Sequence, residues 1–179
     1  MDAELDRILA ADYLDGIETR PVADLRVLRA ECQAVETQVS YLRRMVQGRH
    51  DIVTGEMERR TRGGDRYDVA DLVDRLPEIL ADRIHAPGPG RLPTGMEPGE
   101  LSGRMVDRLA SVSERVPIES PAAAEDAVLA EVASDLEDLE REVSAVRRQL
   151  FDRIDALQAE ITRRYRDGEA RVDDLLAGG

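Results

Sequence analysis

The chain has 179 residues, of which 35% are charged, 42% are hydrophobic and only 3% are aromatic, with no Trp and a single Phe. This composition argues against a thick globular core, but it easily supplies a coiled-coil stripe of aliphatic side chains. The formal net charge of −13 opposes binding to DNA or to anionic membranes, because affinity for such surfaces depends on accumulated Lys and Arg.

The N-terminal sequence Met-Asp-Ala-Glu-Leu-Asp has neither the basic start nor the apolar run of a signal peptide. No stretch approaches the roughly 18 apolar residues that span a bilayer. We therefore expect a cytoplasmic protein. Cys32 is the only cysteine, and neither His50 nor His85 begins a metal-ligand spacing, so we expect no disulfide and no metal site.

Residues 2 to 17 carry apolar side chains at spacings of three and four, which predicts a short amphipathic helix ending near Gly16, within an N-terminal segment 1–20. Two roles for this helix stay open. It either packs on its own chain or serves as an arm for a partner.

A first long helix is predicted over 21–62, because Pro21 suits a first helical turn and a seam of apolar residues follows it. Gly48 and Gly55 each cost a helix about 1 kcal/mol relative to Ala, so the helix must be held by packing. Gly63 and Gly64 are predicted to end it. The predicted seam consists of Leu25, Leu28, Cys32, Val35, Val39, Leu42, Val46 and Val53.

Residues 63–120 differ in composition and are predicted to form a linker. It contains short apolar runs at 69–76 and 79–84, a connector rich in Pro and Gly over 88–95, and a second short helix near 101–116. The connector resembles a phosphate-binding loop only superficially, because its prolines lack the amide donors that such a loop needs.

A second long helix is predicted within 121–179, with Ser120 as its N-cap and Pro121 in its first turn. Its seam changes register after Leu150. The pattern predicts an all-α fold in which two long helices form an antiparallel coiled-coil hairpin, with a short N-terminal helix and a helical, Pro-Gly-rich insertion. The second seam consists of Leu129, Val132, Leu136, Leu139, Val143, Val146, Leu150, Ile154, Leu157, Ile161 and Tyr165.

Five positions of the first long helix are matched 104 positions later on the second. Their spacings of four, three, four and four place each set within an arc of roughly 80° on a helix. Each set flanks a seam, so antiparallel pairing brings the two stripes together as one two-fold-related surface. A solvated ion-pair face is the open alternative. The first copy is Glu36, Ser40, Arg43, Gln47 and Asp51, and the second is Glu140, Ser144, Arg147, Phe151 and Asp155.

The pattern Glu-x3-Ser-x2-Arg-x3-Gln-x3-Asp is intact in the first copy, and Phe151 replaces Gln in the second. It resembles the signature of actinobacterial anti-sigma factors that bind cyclic di-GMP and restrain a sporulation sigma factor of the flagellar type. The resemblance implies that the ten motif side chains bind a dimer of cyclic di-GMP. It also implies that the ligand-bound protein holds the sigma factor away from RNA polymerase.

The motif residues suit such a ligand by their chemistry as well. Arg43 and Arg147 match guanine O6 and N7 or the phosphates, carboxylates match the guanine N1 and N2 donors, and the serines let a phosphate or ribose approach. Phe151 offers a stacking surface where Gln47 offers hydrogen bonds. A two-fold surface also suits a ligand that has its own two-fold axis.

Carboxylates spread along a helix exterior enclose no water-free pocket, and no nucleophile and base are paired, so we expect a binding protein and not an enzyme. The rival hypothesis is a ligand-independent, acidic coiled-coil scaffold or adaptor. A weaker one is a regulator that covers a basic protein surface. We expect a monomer or a small homo-oligomer, because one chain carries both copies of the motif.

Overall fold

The computed structural model describes residues 2–63 and 103–168. The predicted runs at 69–76 and 79–84, the connector over 88–95 and the C-terminal residues from 169 onward lie outside the described residues. Within the described ranges all regular elements are helical, and no helix is both long enough and apolar enough to span a membrane. The elements are α1 (Asp2–Leu9), α2 (Val22–Thr61), α3 (Arg104–Arg115), a short 3-10 helix (Pro121–Ala123) and α4 (Asp126–Arg166).

The two long helices, α2 and α4, run antiparallel. Side-chain contacts join Arg26 to Tyr165 at one end and Arg60 to Asp126 at the other. Between them the Arg43 Nε lies 2.9 Å from Glu140 Oε1. The residue number on α4 falls as the number on α2 rises, which confirms the predicted hairpin.

An apolar seam between α2 and α4 forms the core. Cys32 and Leu42 from α2 and Val143 and Leu150 from α4 are fully buried, as predicted. Burial of this seam allows α2 to continue through both of its glycines, because packing offsets their low helix propensity. The fully buried or nearly buried seam residues are Leu25, Cys32, Val35, Val39, Leu42, Val46, Val53, Leu129, Val132, Leu136, Leu139, Val143, Leu150, Leu157 and Ile161.

Leu28 departs from the prediction, because it is only partly buried. It lies on the stretch of α2 that faces α4 beyond Leu150, where the apolar stripe of α4 changes register. Ile154 in that part of α4 is also only partly buried. A register change rotates one stripe relative to the other, so both residues sit at the edge of the seam.

The N-terminal helix is shorter than predicted, because α1 ends at Leu9 and turns follow as far as residue 19. Arg153 of α4 explains the early end. Its Nε donates to the carbonyl oxygen of Ile8 at 2.6 Å, and its NH2 donates to those of Leu9 at 2.9 Å and Ala10 at 3.4 Å. The carbonyls of Ile8 and Leu9 would otherwise accept amides of the next helical turn, so Arg153 takes the place of that turn.

The N-terminal segment packs on its own chain, which is one of the two roles left open by the sequence. Leu5, Ile8 and Tyr13 are buried against the hairpin. The Tyr13 hydroxyl donates to the carbonyl oxygen of Leu28 at 3.3 Å and lies 3.5 Å from the Cys32 Sγ. Burial raises the pKa of the Cys32 thiol.

The prediction for the start of the second long helix is also corrected. Ser120 makes no side-chain cap, and Pro121 begins a 3-10 helix. The α-helix begins only at Asp126. Arg60 of α2 explains the difference, because its NH2 donates to the carbonyl oxygens of Pro121, Ala122 and Ala124, at 3.4, 3.1 and 2.9 Å, and so stabilises a non-helical turn.

Arg60 is itself held by a buried carboxylate. Glu56 is only 2% exposed, and it accepts hydrogen bonds from Arg59 and from the Nε of Arg60. Hydrogen bonds from these two arginines lower the pKa of the Glu56 carboxyl, and the bond from Arg59 has the larger effect. The end of α2 therefore clamps the turn that precedes α4.

The opposite end of the hairpin repeats this arrangement. Glu160 is 8% exposed and accepts from Arg163 and Arg164, which lower the pKa of its carboxyl to about 2. The terminal nitrogens of Arg164 donate to the carbonyl oxygens of Ile17 at 2.7 Å and Arg20 at 2.5 Å, in the turn that precedes α2. The clamp residues Glu56, Arg59 and Arg60 return as Glu160, Arg163 and Arg164, again 104 positions later.

The low pKa of Glu160 predicts a loss of stability in acid. A carboxyl whose pKa is lowered by folding contributes its full stabilisation above its ordinary pKa of about 4.3, and the contribution is lost as the pH falls through the folded-state value. We expect Glu160→Gln to lower the free energy of unfolding at pH 7. The difference in the free energy of unfolding between wild type and this variant should shrink as the pH falls from about 4.5 to the folded-state pKa of about 2. Urea unfolding across this range measures it, and a difference that stays constant with pH would contradict the assignment.

The contacts of Arg153 predict the reactivity of the only thiol. Hydrogen bonds from a charged donor contribute about 1.5 to 3 kcal/mol, so Arg153→Ala should let the N-terminal segment open more often and should raise the rate of Cys32 labelling by a thiol reagent about tenfold. Arg148→Ala is the matched control, because Arg148 lies on the same helix and is exposed. Equal labelling rates in the two variants would show that Arg153 does not hold the segment down.

Candidate functional site

The antiparallel pairing of α2 and α4 brings the two motif copies to one flank of the seam. Arg43 of the first copy reaches across to the second, where its Nε donates to Glu140 Oε1 at 2.9 Å and to Ser144 Oγ at 2.8 Å. Ser144 Oγ in turn donates to the same Glu140 oxygen at 2.9 Å, and Gln47 Nε2 donates to it at 3.2 Å. Four motif residues thus form one connected polar cluster.

The other half of the flank has the reciprocal arrangement. Arg147 reaches back to the first copy, where its Nε donates to Glu36 Oε1 at 3.0 Å and to Ser40 Oγ at 2.7 Å. Ser40 Oγ donates to the same Glu36 oxygen. The Cζ of Arg147 lies 4.6 Å from the centre of the Phe151 ring, within the range of a cation–π contact.

These reciprocal contacts relate the two copies by a pseudo-two-fold axis between Arg43 and Arg147. Each arginine is held by the Glu and the Ser of the opposite helix. The side chains of Arg43 and Arg147 are 34% and 36% exposed. Both use Nε for their cross-helix contacts, and in residues 2–63 and 103–168 neither donates a hydrogen bond from its terminal nitrogens. The terminal nitrogens of both guanidinium groups therefore remain available for further hydrogen bonds.

The two aspartates of the motif lie at the outer ends of the stripes, and both are exposed. Asp51 lines a cavity on this flank. Among the described residues, no hydrogen bond or ion pair joins Asp155 to the other motif side chains. The structure thus connects eight of the ten predicted residues directly, places Asp51 beside them and leaves Asp155 at the edge.

The cavity on this flank has a volume of about 660 Å³, within the range of about 300 to 1,000 Å³ that is typical of small-molecule sites. It lies between the helices on the Gln47 side of the pseudo-two-fold axis. Phe151 and Asp155 do not line it. Its lining residues are Ser40, Arg43, Arg44, Gln47, His50, Asp51, Glu137, Glu140 and Arg147.

Three of the lining residues were not predicted as site residues. Arg44 returns as Arg148 at the same spacing of 104 positions, so the internal repeat is the signal for it. His50 begins no metal-ligand spacing, but it lies three positions after Gln47 and lines the same cavity. Glu137 lies one helical turn before Glu140, so helical spacing from the motif was the signal for it.

The cavity differs in charge from the rest of the chain. Its lining contains three arginines and three carboxylates, whereas the whole chain has a net charge of −13. The cavity is therefore balanced in charge on an otherwise acidic molecule. Its arginines offer donors to anionic groups, and its carboxylates offer acceptors to N–H groups.

A family model described as RsiG-like matches residues 11–80 and 116–178, which is more than half of the chain. Both motif copies lie inside the matched ranges.

The chain belongs to the RsiG-like family.

RsiG is an anti-sigma factor family, so membership indicates a sigma factor as the partner. No curated protein matches the sequence. The matched ranges also contain both end clamps and all of α2 and α4, so the RsiG-like assignment covers the whole hairpin. The family match and the reciprocal geometry concern the same two helices.

Proposed function

We propose that this RsiG-like protein is an anti-sigma factor that responds to cyclic di-GMP and, when it has bound this ligand, sequesters a sigma factor of the flagellar or sporulation type. The observation that carries the proposal is the reciprocal pairing of the two motif copies. It places two half-exposed guanidinium groups, related by a pseudo-two-fold axis, beside a cavity of ligand size.

The chemistry of the ligand fits these groups. Cyclic di-GMP consists of two identical nucleotides in a ring, so it has a two-fold axis of its own. The terminal nitrogens of Arg43 and Arg147 suit guanine O6 and N7 or a phosphate, and Glu36 and Glu140 suit the guanine N1 and N2 donors. Ser40 and Ser144 are small enough to leave room for a phosphate or ribose. The family resemblance implies a dimer of the ligand. Such a dimer would place nucleotides at both halves of the flank.

The acidic surface suits a sigma factor as the partner. Sigma factors present basic surfaces to promoter DNA, and a chain with a net charge of −13 is complementary to them. A ligand that contacts Arg43 and Arg147 links α2 to α4 on one flank. Because the buried seam already sets the register of the helices, we expect the ligand to act mainly on the side chains and charge of this flank.

The same proposal assigns no catalysis to the protein. The site is an open flank between two helices, and its carboxylates are used as hydrogen-bond acceptors for arginines and serines. We propose a binding protein that acts in the cytoplasm, as a monomer or a small homo-oligomer.

A ligand-independent acidic scaffold is the second candidate. The observation that favours it is that Arg43 and Arg147 each already form an ion pair across the hairpin. Such partly exposed pairs contribute about 0 to 1 kcal/mol, and they form without any ligand. Equilibrium dialysis with cyclic di-GMP separates the two candidates, because a scaffold would retain none.

Replacing either cross-helix arginine tests the ligand site. We expect Arg43→Ala and Arg147→Ala each to weaken cyclic di-GMP binding about tenfold to hundredfold, because each loses charge-assisted hydrogen bonds of about 1.5 to 3 kcal/mol. Isothermal titration calorimetry measures the affinity.

Arg141→Ala is the matched control, because Arg141 is exposed on α4 and its ion-pair partner is Asp138, outside the motif. Helicity and unfolding midpoint should change little in all three variants, since none of these arginines lies in the seam. Wild-type affinity in either motif variant would remove that half of the site from the proposal.

The partner is tested by measuring sigma factor binding with and without the ligand. If the ligand favours the partner-binding form, then by linkage the partner raises ligand affinity by the same factor, with a coupling of about 1 to 3 kcal/mol. Binding of the cognate flagellar-type sigma factor should therefore tighten about fivefold to 150-fold in saturating cyclic di-GMP. Equal affinity in both conditions would leave an anti-sigma factor that cyclic di-GMP does not regulate.

A further inference from the structure

The two halves of the motif flank differ at one position, where the first copy has Gln47 and the second has Phe151. Gln47 Nε2 donates to Glu140 Oε1 at 3.2 Å. Phe151 instead presents its ring to the guanidinium group of Arg147, with 4.6 Å between Cζ and the ring centre. Phe151 is the only Phe in the chain and is 37% exposed.

This difference changes the number of hydrogen bonds that each of the two glutamates accepts. Glu140 Oε1 accepts three hydrogen bonds, from Arg43, Gln47 and Ser144. Glu36 Oε1 accepts two, from Arg147 and Ser40. The Phe151 half therefore has one hydrogen-bond donor fewer at its carboxylate, and the ring at the matching sequence position packs on Arg147 instead.

An amide and an aromatic ring recognise a base by different physical means. An amide presents a donor and an acceptor at fixed positions, so it distinguishes one base edge from another. An aromatic ring interacts with the face of a base, and this interaction tolerates any base because every base has a π face. A ring that also stacks on a guanidinium group holds the plane of that group.

We propose that the Phe151 half of the site selects guanine less strictly than the Gln47 half, so that the protein also binds a cyclic dinucleotide with one guanine and one adenine. This inference rests on the proposed function and specifies the ligand range of the same site. The Gln47 half, which lines the cavity, recognises guanine by its edge. The Phe151 half recognises a purine largely by its face.

A purely local role is the alternative for Phe151, because Arg147 and Phe151 lie four residues apart on α4 and such a pair also stabilises a helix by itself. Stability therefore cannot distinguish the two roles. Base discrimination can, because a helix-stabilising pair has no reason to change the ratio of affinities for two ligands.

The test compares cyclic di-GMP with 3′,3′-cyclic GMP-AMP by calorimetry on the full chain. For wild type we expect the mixed ligand to bind within about tenfold of cyclic di-GMP. Phe151→Gln restores the intact motif. It should increase the ratio of the dissociation constants, mixed ligand over cyclic di-GMP, about tenfold, since one good base-edge contact discriminates by about that factor or more. Phe151→Tyr keeps the aromatic face and should retain the wild-type ratio.

Two further variants make the comparison specific. Gln47→Phe should decrease discrimination below that of wild type and should allow measurable binding of cyclic di-AMP. Met45→Gln is the matched control, because Met45 is 40% exposed and lies on the other flank of α2. It should leave the ratio unchanged.

The outcomes separate this inference from the proposed function. An increased ratio in Phe151→Gln, with the wild-type ratio in Phe151→Tyr and Met45→Gln, supports the inference. Equal ratios in wild type and Phe151→Gln overturn it while cyclic di-GMP binding by wild type still supports the proposed function. If wild type binds no cyclic dinucleotide, both are overturned.

Discussion

Burial of the antiparallel seam between α2 and α4 is the constraint on which the rest of the structure depends. The seam places residues such as Leu42 and Val143 out of contact with water, and their burial holds both helices along their length. In an antiparallel pair, equivalent flanks of the two helices face each other. A motif that flanks the seam in both copies must therefore meet its own repeat, and the reciprocal contacts of Arg43 and Arg147 follow from this packing.

The flank contributes little to the stability of the core. Its ion pairs are partly exposed, so they add about 1 kcal/mol or less each, whereas the seam and the buried end clamps hold the hairpin together. Loss of these motif contacts should therefore leave the two helices folded. This separation between the core and the site also explains how Phe151 can replace a Gln in one copy only.

The two ends of the hairpin have the same clamp of a glutamate and an arginine, and these clamps have a different role from the motif. A nearly buried glutamate, Glu56 or Glu160, holds an arginine whose terminal nitrogens donate to the carbonyls of the turn before the other helix. The internal repeat thus extends beyond the flank to the connections, where it supports the N-terminal turns and the 3-10 helix. Residues repeated at the spacing of 104 form the cross-helix contacts in the middle of the hairpin and hold the turns of the chain at its ends.

The sequence by itself determined the features that depend on position along one helix. Apolar spacing located α2 and α4 and nearly all of the seam, and the repeat located the two stripes, because periodicity reports which side of its own helix a residue occupies. Only the tertiary structure decided the cross-helix partners and the cavity that includes His50 and Glu137. It also decided where α1 ends, through Arg153, and where α4 begins, through Arg60. Those contacts depend on the stagger between helices and on backbone carbonyls, which every residue carries and which no sequence pattern distinguishes.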